Sequence, residues 1–179
     1  MQKQVVVDAA PRFKIHSTEK FDAFYEREFS SVVGLAYALS GSRWAAEELA
    51  QEAFLAAHRN WKEVGDYDQP GAWVRRVVSN LCTSLVRRRV AEARALVKLA
   101  ARRPESLPPL EASDEEFWRA VRALPKRQSQ VIALHYLEDL SVAEIAETLN
   151  VAEGTVKTHL HRGRIQLASK LGLIAGSDL

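Results

Sequence analysis

The chain has 179 residues, 47% hydrophobic and 27% charged, the balance of a water-soluble globular protein with ample material for a core. No run approaches the roughly 20 apolar residues that span a bilayer, and the lone cysteine, Cys82, excludes an internal disulfide and a multi-cysteine zinc site. The net charge of +2 conceals a cluster: Arg75, Arg76, Arg87, Arg88, Arg89, Arg94, Lys98, Arg102 and Arg103 stand against Glu92 alone, which suggests a polyanionic partner.

Residues 1–16 lack periodicity and read as a mobile tail. The three-valine patch Val5–Val7 is too short for a secretory signal, so the expected location is the cytoplasm, without membrane insertion. Thr18 is the expected N-cap of a first helix, with Phe21, Phe24, Tyr25, Phe29, Val32 and Val33 on one face. That helix should stop at the breaker Ser40-Gly41-Ser42. A second helix, Arg43 to Trp61, is expected to turn Trp44, Leu49, Ala53, Phe54 and Ala57 inward. Glu47, Glu48, Gln51 and Glu52 lie towards its N-terminal end, where carboxylates suit the helix dipole.

The stretch from Val64 to Ala72 is a loop by composition, and Pro70 suits the first turn of the next helix. This helix, Trp73 to about Arg89, should bury Val74, Val77, Val78, Leu81, Leu85 and, as a small core residue, Cys82. Arg75, Arg76, Asn80, Thr83 and the run Arg87 to Arg89 should be more exposed. Prolines 104, 108 and 109 break regular structure, which places a linker over residues 93–113. Ser113 should then cap a helix with Phe117, Trp118, Val121 and Leu124 inward. The helix after Leu124-Pro125, Lys126 to Leu137, should contribute Val131, Leu134, Tyr136 and Leu137 to a core.

The most informative stretch is Ser141 to Arg164. Ser141 and Glu144 form a capping-box pattern, and Val142, Ile145, Ala146 and Leu149 make an apolar stripe. Asn150, which tolerates a left-handed backbone, sits where the chain must turn. On the next helix Val156, Leu160, Gly163, Leu167 and Leu171 face inward. Thr155, Thr158 and Arg162 point away from them, with Lys157 and His161 on the flanks. Outward hydroxyls and cations on a two-helix corner match a helix-turn-helix that reads DNA; an ordinary helical hairpin with a solvated basic face is the plainer alternative. No histidine pair has metal-ligand spacing, no glycine-rich phosphate loop occurs, and no catalytic set stands out, so neither an enzyme nor a cofactor is expected. The fold class is all-α: residues 17–92 and 114–174 form two helical domains.

AAEELAQEAFLAAHRNW (45–61), GAWVRRVVSNLCTSLVRRR (71–89) and the segment 123–171 from Leu124-Pro125 through the helix-turn-helix together resemble regions 2 and 4 of the sigma-70 family, in its extracytoplasmic-function (ECF) group. The resemblance covers roughly four-fifths of the chain. It implies a promoter-recognition subunit that docks on core RNA polymerase at the β′ clamp and β flap and is controlled by an anti-sigma factor. Glu48, Gln51 and Glu52 fall where the family meets the clamp. Asp66, Tyr67, Trp73, Arg75, Arg76, Asn80, Arg87 and Arg88 fall where it opens and holds the minus-10 element, work that needs a polar pocket and basic or aromatic walls. Thr155, Lys157, Thr158, His161 and Arg162 match the positions that enter the minus-35 major groove. His159 stands where the family commonly has Arg, and Ala152 where a Ser cap or Pro is frequent. Two readings outside the family compete: a dimeric helix-turn-helix regulator with no need of polymerase, and a helical RNA-binding protein with sequence-blind, salt-dependent affinity.

Overall fold

The computed structural model describes residues 20–97 and 112–173, and every regular element among them is a helix. The first four are α1 (Phe21–Ser40), α2 (Arg43–Arg59), α3 (Trp61–Val64) and α4 (Pro70–Val97). Gly41 takes a left-handed φ of 69° and its N–H closes on the Tyr37 carbonyl, which ends α1. One residue on, the extended Ser42 accepts the Ala45 N–H and starts α2. Three residues thus stop one helix and launch the next, and the two lie as a hairpin around Phe24, Val32, Leu35, Ala46, Ala50, Ala53 and Phe54. The first helix starts at Phe21 with Lys20 as its N-cap; Thr18 and the expected tail lie outside the described residues.

The second helix starts at Arg43 as expected but ends two residues early, and Trp44 faces the other way. It stops at Arg59, where the Asn60 amide donates back to the Ala56 carbonyl. Trp61 begins a separate turn that sets its ring 4.8 Å from Phe24 and 5.2 Å from Phe21. Trp44, expected inward, is 69% exposed. It lies about 140° around the helix from Leu49, and the buried residues Ala45, Ala46, Leu49, Ala50, Ala53, Phe54 and Ala57 define the inner face without it. In α4, Val74, Val78 and Cys82 are fully buried as expected, and burial pushes the Cys82 thiol up to about 12, so it is an inert packing group. Thr83 was expected outside and is buried; its hydroxyl is satisfied by the Ser79 and Asn80 carbonyls of its own helix.

The remaining helices are α5 (Ala112–Arg122), α6 (Lys126–Tyr136), α7 (Val142–Leu149) and α8 (Glu153–Lys170). Ser113 falls inside α5, one residue past its first position, rather than capping it. Pro125, with ψ 145°, cannot continue α5 and starts α6. At α7 the capping box forms as expected: the Ser141 N–H donates to the Glu144 carboxylate at 2.8 Å, and the Glu144 N–H donates to the Ser141 hydroxyl. Asn150 takes the left-handed turn at φ 52°. Gly163 lets α8 approach α6, because a Cβ there would stand 3.0 Å from Ile132 Cγ1. Tyr136 and Leu137 are half exposed rather than inward, because α6 ends there and the chain turns through Asp139 at φ 53°.

The two domains pack on each other. α1 meets α5 and α6, α4 meets α7, and the buried side chains of both halves form one continuous cluster. This contact decides how the candidate surfaces are presented.

Candidate nucleic-acid and polymerase interfaces

The helix-turn-helix presents its outward residues openly. Thr155, Lys157, Thr158, His161 and Arg162 are all exposed, because Val156, Leu160, Gly163 and Leu167 fix the opposite face of α8 against the core. The Thr158 hydroxyl donates to the Gly154 carbonyl at 2.8 Å, so its methyl and lone pairs are what it offers outward. Lys157 lies 3.5 Å from Glu153, a solvated pair of little strength that a DNA phosphate can displace. Ala152 gives α8 no side-chain cap, leaving its first N–H groups to water or to an anion.

Cations from three helices crowd beside this face. Burial, then Arg127 and Arg87, lowers the Lys126 ammonium; burial, then Arg127 and Arg162, lowers the His159 imidazole. His159 is therefore neutral at neutral pH, and its Nδ1 is buried without a hydrogen-bond partner. Lys126 and Arg127 were not singled out by the sequence reading. Their signal is their place on the first turn of the helix after Leu124-Pro125, which aims them towards Arg87 and α8.

The residues assigned to the first domain's DNA face divide sharply. Arg87 and Arg88 are exposed, whereas Asp66 and Arg76 are half-buried. Tyr67 and Trp73 belong to the core at 4% and 8% exposure. The Tyr67 hydroxyl donates to Glu63 at 3.2 Å; burial, then the Glu63 charge, raises its titration. Arg75 is held from several sides: Nε donates to Glu138 at 2.7 Å, Nη1 to Glu28 at 2.8 Å and Nη2 to the Ser31 hydroxyl at 3.3 Å. Burial lowers its basicity, but the two carboxylates outweigh that and raise it. Asn80 accepts a hydrogen bond at 3.1 Å from the amide of Gln130 on α6. The structure thus gives Arg75 and Asn80, which lie about 140° apart around α4, separate partners from the second domain.

A third surface lies on α2. Glu48, Gln51 and Glu52 are exposed, and Gln51 borders an open cavity of about 400 Å³ shared with Phe21, Tyr25, Phe54, Leu55 and His58. Leu55 is 55% exposed. An acidic ridge beside an apolar hollow suits a protein partner with basic and apolar groups at matching spacing. Leu55 and His58 complete the hollow and are missing from the sequence assignment; their spacing of four and seven residues from Gln51 was the available signal.

The profile described as Sigma-70 region 2 matches residues 24–92, and that described as Sigma-70, region 4 matches residues 114–167. The ECF RNA polymerase sigma factor SigW of Bacillus subtilis is 30% identical over 151 residues, covering 76% of this chain and 81% of that protein. SigE, an ECF RNA polymerase sigma factor of Mycolicibacterium smegmatis, is 32% identical over 164 residues, 84% of this chain and 61% of the mycobacterial protein. Among solved structures, the sigma factor RpoE of Bartonella quintana, in complex with the anti-sigma factor NepR, superimposes with a TM-score of 0.63. It covers 87% of this chain and 98% of that one at 23% identity, a likeness of fold.

Proposed function

Because the chain belongs to the ECF group of sigma-70 RNA polymerase sigma factors, we propose that it docks on core polymerase through α2, reads a minus-35 element with α8 and holds the opened minus-10 strand with the α4 face. The observation that carries this reading is the outward face of α8. All five of its assigned residues are exposed while the opposite face is locked to α6 across Gly163 and Ile132. A rigidly backed helix with exposed threonines and cations is what major-groove readout requires. Arg162 addresses guanine O6 and N7, Thr158 offers a methyl or hydroxyl contact, and Lys157 trades Glu153 for phosphate. Arg87, Arg88, Lys126 and Arg127 supply further sequence-independent attraction.

Glu48, Gln51, Glu52, Leu55 and His58 form the polymerase-facing surface. The protein binds and opens DNA in the cytoplasm and performs no chemistry itself. An anti-sigma factor covers its binding surfaces, a role supported by the solved complex of the Bartonella protein. The test is reconstitution: the chain should co-elute with core polymerase and direct initiation from a cognate promoter. Sequence-specific duplex binding as a dimer, with no retention by polymerase, would instead identify an ordinary helix-turn-helix regulator.

A further inference from the structure

The hollow beside Gln51 is one half of a longer groove between α1 and α2. A second open cavity of about 290 Å³ adjoins it across Gln51 and is lined by Phe29, Ser30, Val33 and Glu47. On α1 the lining residues Phe21, Tyr25, Phe29 and Val33 recur every fourth position, a single stripe about 18 Å long. None of the four is fully buried, and Leu55 opposite them is 55% exposed. The floor of the groove is therefore apolar surface left in water. Its α2 rim is acidic, with Glu47, Glu48 and Glu52 exposed. Glu47 pairs with Arg43 at 3.4 Å, a solvated contact of little strength.

The chain that leads into this groove carries the complementary pattern. Phe21, the first residue of α1, lines the larger hollow, so residues 1–19 join the fold at the groove itself. Within them, Pro11-Arg12-Phe13-Lys14-Ile15-His16 alternates basic with apolar side chains. In extended backbone Phe13 and Ile15 face one way and Arg12, Lys14 and His16 the other. Six extended residues span about 20 Å, which matches the α1 stripe. Ser17 to Lys20 give about 14 Å of chain in which to double back, and Ser17 and Thr18 suit a turn.

We propose that residues 11–16 fold back as a strap along the α1–α2 groove and compete with core polymerase for α2. Phe13 and Ile15 enter the hollows, while Arg12 and Lys14 reach the glutamate rim with their long side chains. The competition rests on the reading of α2 as the polymerase-facing surface; the docking of the strap does not. Gln51 and Leu55 belong to both surfaces, so one occupant excludes the other. A short tether holds the strap at an effective concentration on the order of millimolar. An intrinsic Kd of about 0.1 mM then keeps it docked about ten times as often as free. Two apolar anchors and a screened ionic rim are enough for so modest an affinity.

The test uses the full chain. Lys14→Cys and Ser30→Cys supply the ends for a short bismaleimide, and the buried Cys82, its thiol pushed up to about 12, stays unreactive. Adding Phe13→Ser and Ile15→Ser should slow cross-linking within one chain several-fold. Without the cysteines, the same two substitutions should tighten binding to core polymerase about tenfold. Equal cross-linking rates with and without the serines would overturn the proposal. Cross-links between chains in place of those within one would also overturn it and assign the groove to a second copy. Slower cross-linking with unchanged polymerase affinity would remove the competition, and Gln51→Ala and Leu55→Ala then say why. If they weaken polymerase binding, the strap docks without competing. If they do not, the polymerase-facing reading of α2 has failed and the competition falls with it.

Discussion

The outward face of α8 and the polar side of α4 carry similar chemistry, cations beside small polar groups on a helix, and meet opposite fates in the fold. On α8 a stripe of Val156, Leu160, Gly163 and Leu167 leaves the far side exposed, with nothing among the described residues packed over it. On α4 the polar residues Arg75, Ser79 and Asn80 border the second domain, and each gains a partner from it: Glu138 for Arg75 and Gln130 for the other two. Helical periodicity states which side of a helix is apolar. It does not state whether another domain will cover the polar side.

The largest effect that could break this contrast is at Trp73. Its burial makes it a core residue first, so Trp73→Ala should lower unfolding stability by about 3–5 kcal/mol in denaturant titration. Thr155→Ala on α8 should change stability by less than about 0.5 kcal/mol. Equal, small effects at both would mean that Trp73 is not packed as described.

Next in size is readout by the open face. Arg162→Ala should cost about 1–3 kcal/mol at one minus-35 base pair and little at the others, measured by binding across single-base variants. A uniform loss would make Arg162 a phosphate contact. At the turn that aims this face, Ser141→Ala should cost about 1 kcal/mol of folding stability. The Ser141 hydroxyl and then its backbone N–H hold the Glu144 carboxyl below its ordinary value. The stabilisation linked to this carboxylate is complete above about pH 5 and is lost as pH falls through the lowered value, so the gap between Ser141→Ala and the native chain should narrow in acid. A gap that widened in acid would contradict the capping box.

The smallest effect concerns His159. It is neutral at neutral pH because burial and neighbouring Arg127 and Arg162 lower its titration. It therefore adds a phosphate contact only below its ordinary range. His159→Arg should steepen the salt dependence of duplex binding by about one counterion at pH 7 and flatten the rise in affinity expected of the native chain on acidification. An unchanged slope would place residue 159 off the DNA.

Features set by neighbours along the chain were legible beforehand. The Ser141–Glu144 box, the Asn150 turn and the Ser40-Gly41-Ser42 joint each depend on a few adjacent residues and their backbone preferences. Failures occurred where a partner remote in sequence decides. Trp44 and Tyr136 look like core residues by hydrophobicity, yet both stay more than half exposed, Tyr136 being touched along its side by Phe117 and Arg164. Gln130, which the sequence reading did not single out, is fully buried, because Asn80, Ser79 and Arg127 satisfy its amide.

The sequence by itself determined the helical elements, their order and the family, because capping chemistry, helical spacing and a long ordered set of motifs are local or linear properties. It also determined that α8 has a cationic outward face. Only the tertiary structure decided that Arg75 and Asn80 are occupied, since Glu138 and Gln130 lie 63 and 50 residues away along the chain. Both pairings exist only once the two domains have closed.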